Sequence, residues 1–376
     1  MPIEKPRSVD VAAIEMELTN LWKPISPGGS DEHKPVVRAC SANLVVVADD
    51  IAIIQHLEPV LDEITAEHPA RVFLVLSERN SASPMLDAWI SARCSLPVPG
   101  SSQVCCEQIN LAAQGTDIDK IPSVITSLLL PDVPAILLWN SRIDQHDNIL
   151  PRLVEIADRV IIDSSIDRTP LASLSFWLSS INRLSRRTSF ADLSWSAGER
   201  WRYALAELFD PQEMIQSLKE IDHIEISYSV ARLPHRTGLA SSLLLTGWLA
   251  SRLQWTPLRT VSGAPGSTTA TVRSGEHAIR ILWKERQDTL HTTGSMTNVT
   301  IHCASGVEVS IEQKVDNRCL AITTRSRSGQ VSNDLLPRET TSSATMLGKE
   351  LDGLYRDNLY ESALSALVKV IVGRTS

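Results

Sequence analysis

The first hydrophobic pattern along the chain is helical. Val11, Ile14, Leu18, Leu21 and Trp22 fall on one stripe, which predicts a helix over Val9–Trp22 with Ser8 as its N-cap. Pro24, Pro27, Gly28, Gly29 and Ser30 then form a flexible connector. From Leu44 onward, short apolar runs alternate with stretches of helical period. Leu44–Ala48 is a continuous apolar run suited to a strand covered on both faces. Asp49 and Asp50 precede a helix through about Glu67 that turns Ile54, Leu57, Val60, Leu61 and Ile64 inward. Further strands are predicted at Arg71–Leu76, Val104–Leu111, Val133–Trp139 and Val160–Asp163. Helices are predicted at Leu86–Ala92, Ile118–Leu129 and Leu150–Ala157. This alternation predicts an α/β domain on a mainly parallel, Rossmann-like sheet.

Past Asp163 the pattern changes. Leu171–Leu184 and Glu199–Leu208 read as helices of a bridge. His223–Val230 is a strand with Ile224, Ile226 and Tyr228 on one face, and a helix follows from about Gly238 to Leu253. Gly263, Pro265 and Gly266 mark a turn-rich loop, and strands follow at Ala278–Trp283, Val299–Cys303, Val307–Gln313 and Cys319–Thr324. Their close spacing predicts an antiparallel meander in an α+β domain, closed by helices at Thr345–Leu354 and Asn358–Ile371. The expected organisation is an N-terminal helix and linker (1–34), an α/β domain (35–165), a helical bridge (166–220) and an α+β domain (221–376).

Composition narrows the function. A hydrophobic share of 43% and a charged share of 21% belong to a globular chain, and 376 residues exceed one ordinary core. A formal net charge of −8 argues against a nucleic-acid partner. One stretch reverses that balance, with Arg168, Arg183, Arg186, Arg187, Arg200 and Arg202 close together. The two most apolar stretches, Val124–Trp139 and Leu239–Trp255, are interrupted by prolines or polar residues, and Met1–Val9 lacks the apolar run of a signal peptide. A soluble, cytoplasmic protein is expected, with no membrane partner.

No catalytic, cofactor or metal site is expected. The first strand-to-helix turn, Val47-Ala48-Asp49-Asp50-Ile51, has no glycine to admit a pyrophosphate and two carboxylates to repel one. Dinucleotide, P-loop, nucleophile-elbow and zinc-protease motifs are all missing. Gly263-Ala264-Pro265-Gly266 is a turn signal of low specificity. His223 and His302 fall in predicted strands, where hydrogen-bonded structural histidines are the commoner case.

The six cysteines suggest neither a disulfide scaffold nor a zinc site. Cys105 and Cys106 are adjacent. On one reading they point to opposite faces of a strand; on the other, one of them pairs with Cys94 or with a partner's thiol. Cys303 and Cys319 lie on strands separated by one other strand, which would let them face each other. Cys105, Cys106, Cys303 and Cys319 are therefore the redox candidates.

The most distinctive stretch is Phe190–Pro211, FADLSWSAGERWRYALAELFDP. Trp195, Arg200, Trp201 and Arg202, with the upstream Arg183, Arg186 and Arg187, form the candidate partner-contact set, because Trp and Arg are enriched at binding hot spots. The alternative has Trp201 packed inward and Arg202 solvated.

This stretch resembles the OpcA family, the glucose-6-phosphate dehydrogenase assembly proteins. Arg71-Val72-Phe73, Cys106-Glu107-Gln108-Ile109 and Leu128–Trp139 resemble the family's N-terminal domain in the same order, and Trp248-Leu249-Ala250 with Leu253 and Trp255 resembles the start of its C-terminal domain. One departure is the absence of a basic residue near Ala197. The resemblance implies a non-catalytic regulator that binds glucose-6-phosphate dehydrogenase and promotes its assembly or active conformation in the oxidative pentose phosphate pathway. Activation in photosynthetic members is linked to thiol redox state, which adds thioredoxin as a candidate partner. The competing expectation is a sugar-phosphate sensor or enzyme that uses the arginines between Arg232 and Arg286 as phosphate ligands.

Overall fold

The computed structural model describes residues 11–21, 36–81, 83–95, 103–143, 148–184, 187–232, 235–264, 266–286, 294–314, 319–337 and 342–372. They form two compact units interleaved in sequence. The first takes Met1–Ile162, Arg186–Phe190 and Ser342–Tyr355; the second takes Asp163–Ser185, Ala191–Thr341 and Arg356–Ser376.

The first unit begins with α1 (Val11–Leu21), β1 (Val36–Arg38), β2 (Ala42–Ala48), α2 (Ile51–Glu67), β3 (Ala70–Glu78), β4 (Met85–Ser95) and β5 (Gln103–Gln114). It continues through α3 (Ile121–Leu128), β6 (Ala135–Asn140), α4 (Ile149–Ile156) and β7 (Arg159–Ile162). The helix α1 packs on β4 and α3 of its own unit through the buried Ile14 and Leu18. Its expected cap Ser8 and final Trp22 lie outside the described residues. Asp50 caps α2 by accepting from the Ala52 N–H, which satisfies one donor of the first turn. Along β2, residues 43–48 are buried without a break, as a strand covered on both faces requires.

Between β3 and β5 the expected helix Leu86–Ala92 is instead strand β4, paired antiparallel with β5 from Met85↔Gln114 to Ser95↔Val104. Leu86, Trp89 and Ile90 mimic a helical stripe, but the ladder along β5 is worth more than that short periodicity. Trp89 is left half exposed. On β5 the wholly buried Glu107 accepts from Arg71 Nε at 2.7 Å and pairs with Arg38 at 2.6 Å, so the charge taken out of water is compensated.

The chain goes on as α5 (Pro170–Leu184), β8 (Ser189–Asp192), α6 (Leu193–Ala197), α7 (Glu199–Leu208), α8 (Gln212–Ser217), β9 (Ile221–Tyr228), β10 (Val230–Arg232), β11 (His235–Thr237) and α9 (Leu239–Leu253). Seven strands follow, β12 (Thr256–Ala264), β13 (Ser267–Ser274), β14 (His277–Glu285), β15 (Met296–Cys303), β16 (Glu308–Gln313), β17 (Cys319–Arg325) and β18 (Val331–Pro337). The last helices are α10 (Ser343–Asp352) and α11 (Asn358–Leu367), the latter running into a π-turn at Val368–Val372.

Two eight-stranded sheets result. The first runs β1-β5-β3-β2-β6-β7-β8 with β4 on β5, parallel except for β4 among the described pairings. The second runs β12-β13-β14-β9-β15-β16-β17-β18. It is mixed rather than a pure antiparallel meander, because β9 pairs parallel with β14 and antiparallel with β15. The turn-rich loop around Gly263 proves to be a β12–β13 hairpin, with Gly266 at φ +76° after Pro265, itself outside the described residues.

One face of the second sheet is covered by α9, where Trp283 donates to Thr246 Oγ1 at 3.2 Å. Helix α11 packs on α9 so closely that a Cβ on Gly247 would lie 2.2 Å from the Ala363 carbonyl oxygen.

Candidate functional site

The distinctive stretch builds a buried hub within the second unit. At the end of β8, Asp192 caps α6 by accepting from the Ser194 N–H at 2.8 Å, and it also receives the Ser164 N–H at 3.3 Å. Asp192 is completely buried, and burial raises its pKa to about 7 although both N–H groups pull the other way. One helical turn on, the Trp195 indole donates to Asp357 Oδ2 at 2.9 Å and lies 5.9 Å from the Tyr360 ring.

Arg202 closes the hub. Its guanidinium sits 3.4 Å above the Trp195 ring and donates to the Trp195 carbonyl at 2.7 Å. Burial lowers the Arg202 pKa to about 10, against the pull of Glu199 and Asp357. Gly198 makes room for this side chain, because a Cβ there would come within 3.0 Å of Arg202 Nη1. Burial and the Asp192 carboxylate hold Tyr360 far above the usual phenol range. Arg236 ion-pairs with Asp163 beside this cluster.

The structure places the sequence-predicted contact residues as follows. Trp195 and Trp201 are both buried, and Arg202 is stacked on Trp195 rather than solvated. Arg183 and Arg187 are exposed and Arg200 is half exposed, while Arg186 lies outside the described residues. The outward face of α7 carries Arg200 and the exposed Tyr203, which the sequence reading passed over. Burying Trp201, Ala204 and Leu205 turns Tyr203 to the other side, so helical period was the available signal. No local signal leads to Asp357 and Tyr360, which come to the hub from α11.

Among the described residues, the arginines of the competing sugar-phosphate reading are spread over different elements. Arg236 is engaged by Asp163, Arg252 ends α9, and Arg273 and Arg280 stand on strands of the second sheet.

The first β–α turn can be tested against a bound dinucleotide. The Asp50 carboxylate occupies the N-terminus of α2, where a pyrophosphate would sit. Asp49 pairs at 3.0 Å with Arg142, which follows β6, so a second carboxylate is fixed at the mouth between β2 and β6. The donor set there is already satisfied by acidic side chains and does not fit such a cofactor.

The cysteines divide. Cys94 and Cys105 are directly opposed across β4 and β5 and are joined by a disulfide, so the pairing alternative is the one the structure adopts for Cys105. Cys106 points to the opposite side and is buried, with its pKa raised by burial. Cys303 and Cys319 do not face each other. They lie at opposite ends of the intervening β16, since Cys303 follows the His302↔Glu308 pair and Cys319 precedes the Gln313↔Leu320 pair. Burial pushes the Cys303 thiol up to about 12.

Among the described residues, no helix is long and apolar enough to cross a membrane, and no cluster of three metal-ligating side chains occurs.

Comparison with known proteins gives the chain its relatives. Residues 61–176 match the family model described as the glucose-6-phosphate dehydrogenase subunit N-terminal domain, and residues 188–364 match the corresponding C-terminal domain. A Synechocystis protein described as an OxPP cycle protein OpcA is 34% identical over 53% of this chain and 40% of its own length. Its Nostoc punctiforme counterpart is 30% identical over 53% of this chain and 41% of its own length. The aligned stretch thus spans about two fifths of the curated relatives' length. A solved structure described as an oxidoreductase of Parabacteroides merdae superposes with a TM-score of 0.50 at 8% identity, covering 88% of this chain and 96% of that one, which is a likeness of fold. With both domain models matched in order around the buried Trp195–Arg202 hub, the chain belongs to the OpcA family of glucose-6-phosphate dehydrogenase subunits.

Proposed function

We propose that this protein is a non-catalytic regulatory subunit that binds glucose-6-phosphate dehydrogenase in the cytoplasm and favours its assembly or active conformation. One observation carries the reading: both halves of the chain match, in order, the two domains of a dehydrogenase subunit family.

The first β–α turn supports it. The strand order β5-β3-β2-β6-β7 supports the doubly wound, Rossmann-like reading, in which a crevice would open between β2 and β6. In this chain Asp50 and the Asp49–Arg142 pair fill that crevice mouth. The protein then acts through differential affinity: a tenfold shift toward the active dehydrogenase needs it to bind that form about 1.4 kcal/mol more tightly. The outward face of α7, with Arg200 and Tyr203, is the proposed contact, flanked by Arg183 in sequence and held in place from below by Trp195, Trp201 and Arg202. The matched descriptions lend thioredoxin no support as a partner.

The test is to assay purified dehydrogenase with and without this protein, following both rate and oligomeric mass. Faster turnover or a larger assembly is expected, and Arg200→Ala with Tyr203→Ala should weaken the effect without unfolding the chain. Unchanged kinetics and unchanged mass would refute the reading.

A further inference from the structure

Among the described residues, α9 packs against one face of the second sheet. The sheet's other face is built from the alternate residues, and these align in rows across the strands. One row reads Arg280, His223, His302, Glu308 from β14 to β16. Two residues along, another reads Leu282, Glu225, Thr300, Ser310, and the next reads Lys284, Ser227, Asn298, Glu312. Arg280 and Lys284 are exposed, and the Glu308 and Glu312 side chains are 38% and 41% exposed.

The rows are ordered internally. The His223 and His302 rings stack at 5.5 Å, His302 Nδ1 meets Glu308 at 3.1 Å, and Thr300 bonds to Asn298 at 2.9 Å. Arg286 and Lys314 lie 3.3 and 4.0 Å from Glu312 on the same sheet. The middle of the face is therefore paved mainly with polar side chains. Cations stand on β14 and carboxylates on β16, at matching heights either side of β9 and β15.

We propose that this face is where two copies of the chain meet, about a two-fold axis running along the strands between β9 and β15. Rotation about that axis exchanges β14 with β16 and β9 with β15 while keeping every row at its own height. It sets Arg280 against the second copy's Glu308 and Lys284 against the second copy's Glu312, and it brings the His223 and His302 rings together at the centre. A two-fold axis across the strands would instead stack β14 on β14, cation on cation, which like-charge repulsion disfavours. The pattern is thus self-complementary in one orientation, as an isologous interface requires.

The area is adequate. Eight strands about 4.8 Å apart and about 7 residues long present roughly 770 Å² per copy, close to the 800 Å² per partner of a standard interface. Two twisted sheets stacking face to face settle within about 30° of alignment, which keeps the rows in reach of one another. This association goes beyond the regulatory reading and is independent of it.

The test uses the full chain alone, by light scattering and sedimentation over a range of concentrations. A dimer mass is expected, with the dissociation constant rising about tenfold or more at high salt as the paired charges are screened. Arg280→Glu with Lys284→Glu makes the face acidic, and Glu308→Lys with Glu312→Lys makes it basic. Each double variant is expected to be monomeric, and an equimolar mixture of the two is expected to recover dimers. Circular dichroism establishes that each is folded. If one fails to fold, the salt dependence of the unaltered chain still decides. A monomer at every concentration overturns the proposal, as does a dimer indifferent to salt and to both charge reversals. Folded variants that stay monomeric when mixed also overturn it.

Discussion

Replacing Asp192 by Asn isolates the electrostatics of the hub. The carboxyl group caps α6, is fully buried, and has its pKa raised by that burial from 3.8 to about 7. Between those two values the unfolded chain holds an ionised Asp192 while the folded chain keeps the proton. Folding therefore binds a proton, and stability declines as pH rises through this window, then levels off above the folded value. At about 1.4 kcal/mol per unit, the full shift amounts to at most ~4 kcal/mol of lost stability at about pH 8.

Asparagine does not ionise, and its Oδ1 accepts the same Ser194 N–H, so the cap survives. Asp192→Asn should gain about 3–4 kcal/mol over the parent at about pH 8 and only about 1 kcal/mol near pH 4.5. Urea unfolding at both pH values, followed by near-ultraviolet dichroism of the buried tryptophans, measures the difference. An equal effect at the two pH values, or a variant weaker than the parent at the higher one, would refute the reasoning.

Two further outcomes follow from described contacts. Arg202→Lys should be nearly as damaging as Arg202→Ala, each losing about 2–3 kcal/mol by denaturant unfolding, because an ammonium cannot both stack on Trp195 and reach its carbonyl. Replacing Cys94 and Cys105 together by Ser should lower the oxidised protein's stability by about 2–3 kcal/mol, the chain-entropy value for so short a loop, and should abolish any difference between oxidised and reduced samples.

The parts of the fold legible from sequence are those where burial writes a period into the chain. Strands β2, β3, β6 and β7 are buried on both faces and appear as unbroken apolar runs, and α7 begins and ends where its inward Trp201, Ala204 and Leu205 set it. Edge and near-edge strands escape this logic. Val331–Pro337 is exposed almost throughout, and Ser267–Ser274 is mostly threonine and serine, so neither carries a core-facing stripe that stands out. Strand β4 carries no such signal, because its ladder with β5 is decided by pairing and not by its own residues.

The hub shows the same division. Its tryptophans and Arg202 stand together in one stretch and attract notice, but what they do depends on Asp357 and Tyr360, more than 150 residues further on. Exposure, not residue type, separated the structural Arg202 from the outward Tyr203.

The interleaving of the two units has a consequence for synthesis. The first unit is not whole until the ribosome has delivered Ser342–Tyr355, after nearly all of the second has emerged. Its leading segment, Met1–Ile162, is made well before helix α10. Cutting the gene near Asp163 would leave the leading product without Arg186–Phe190 and Ser342–Tyr355, pieces that only the trailing product would carry.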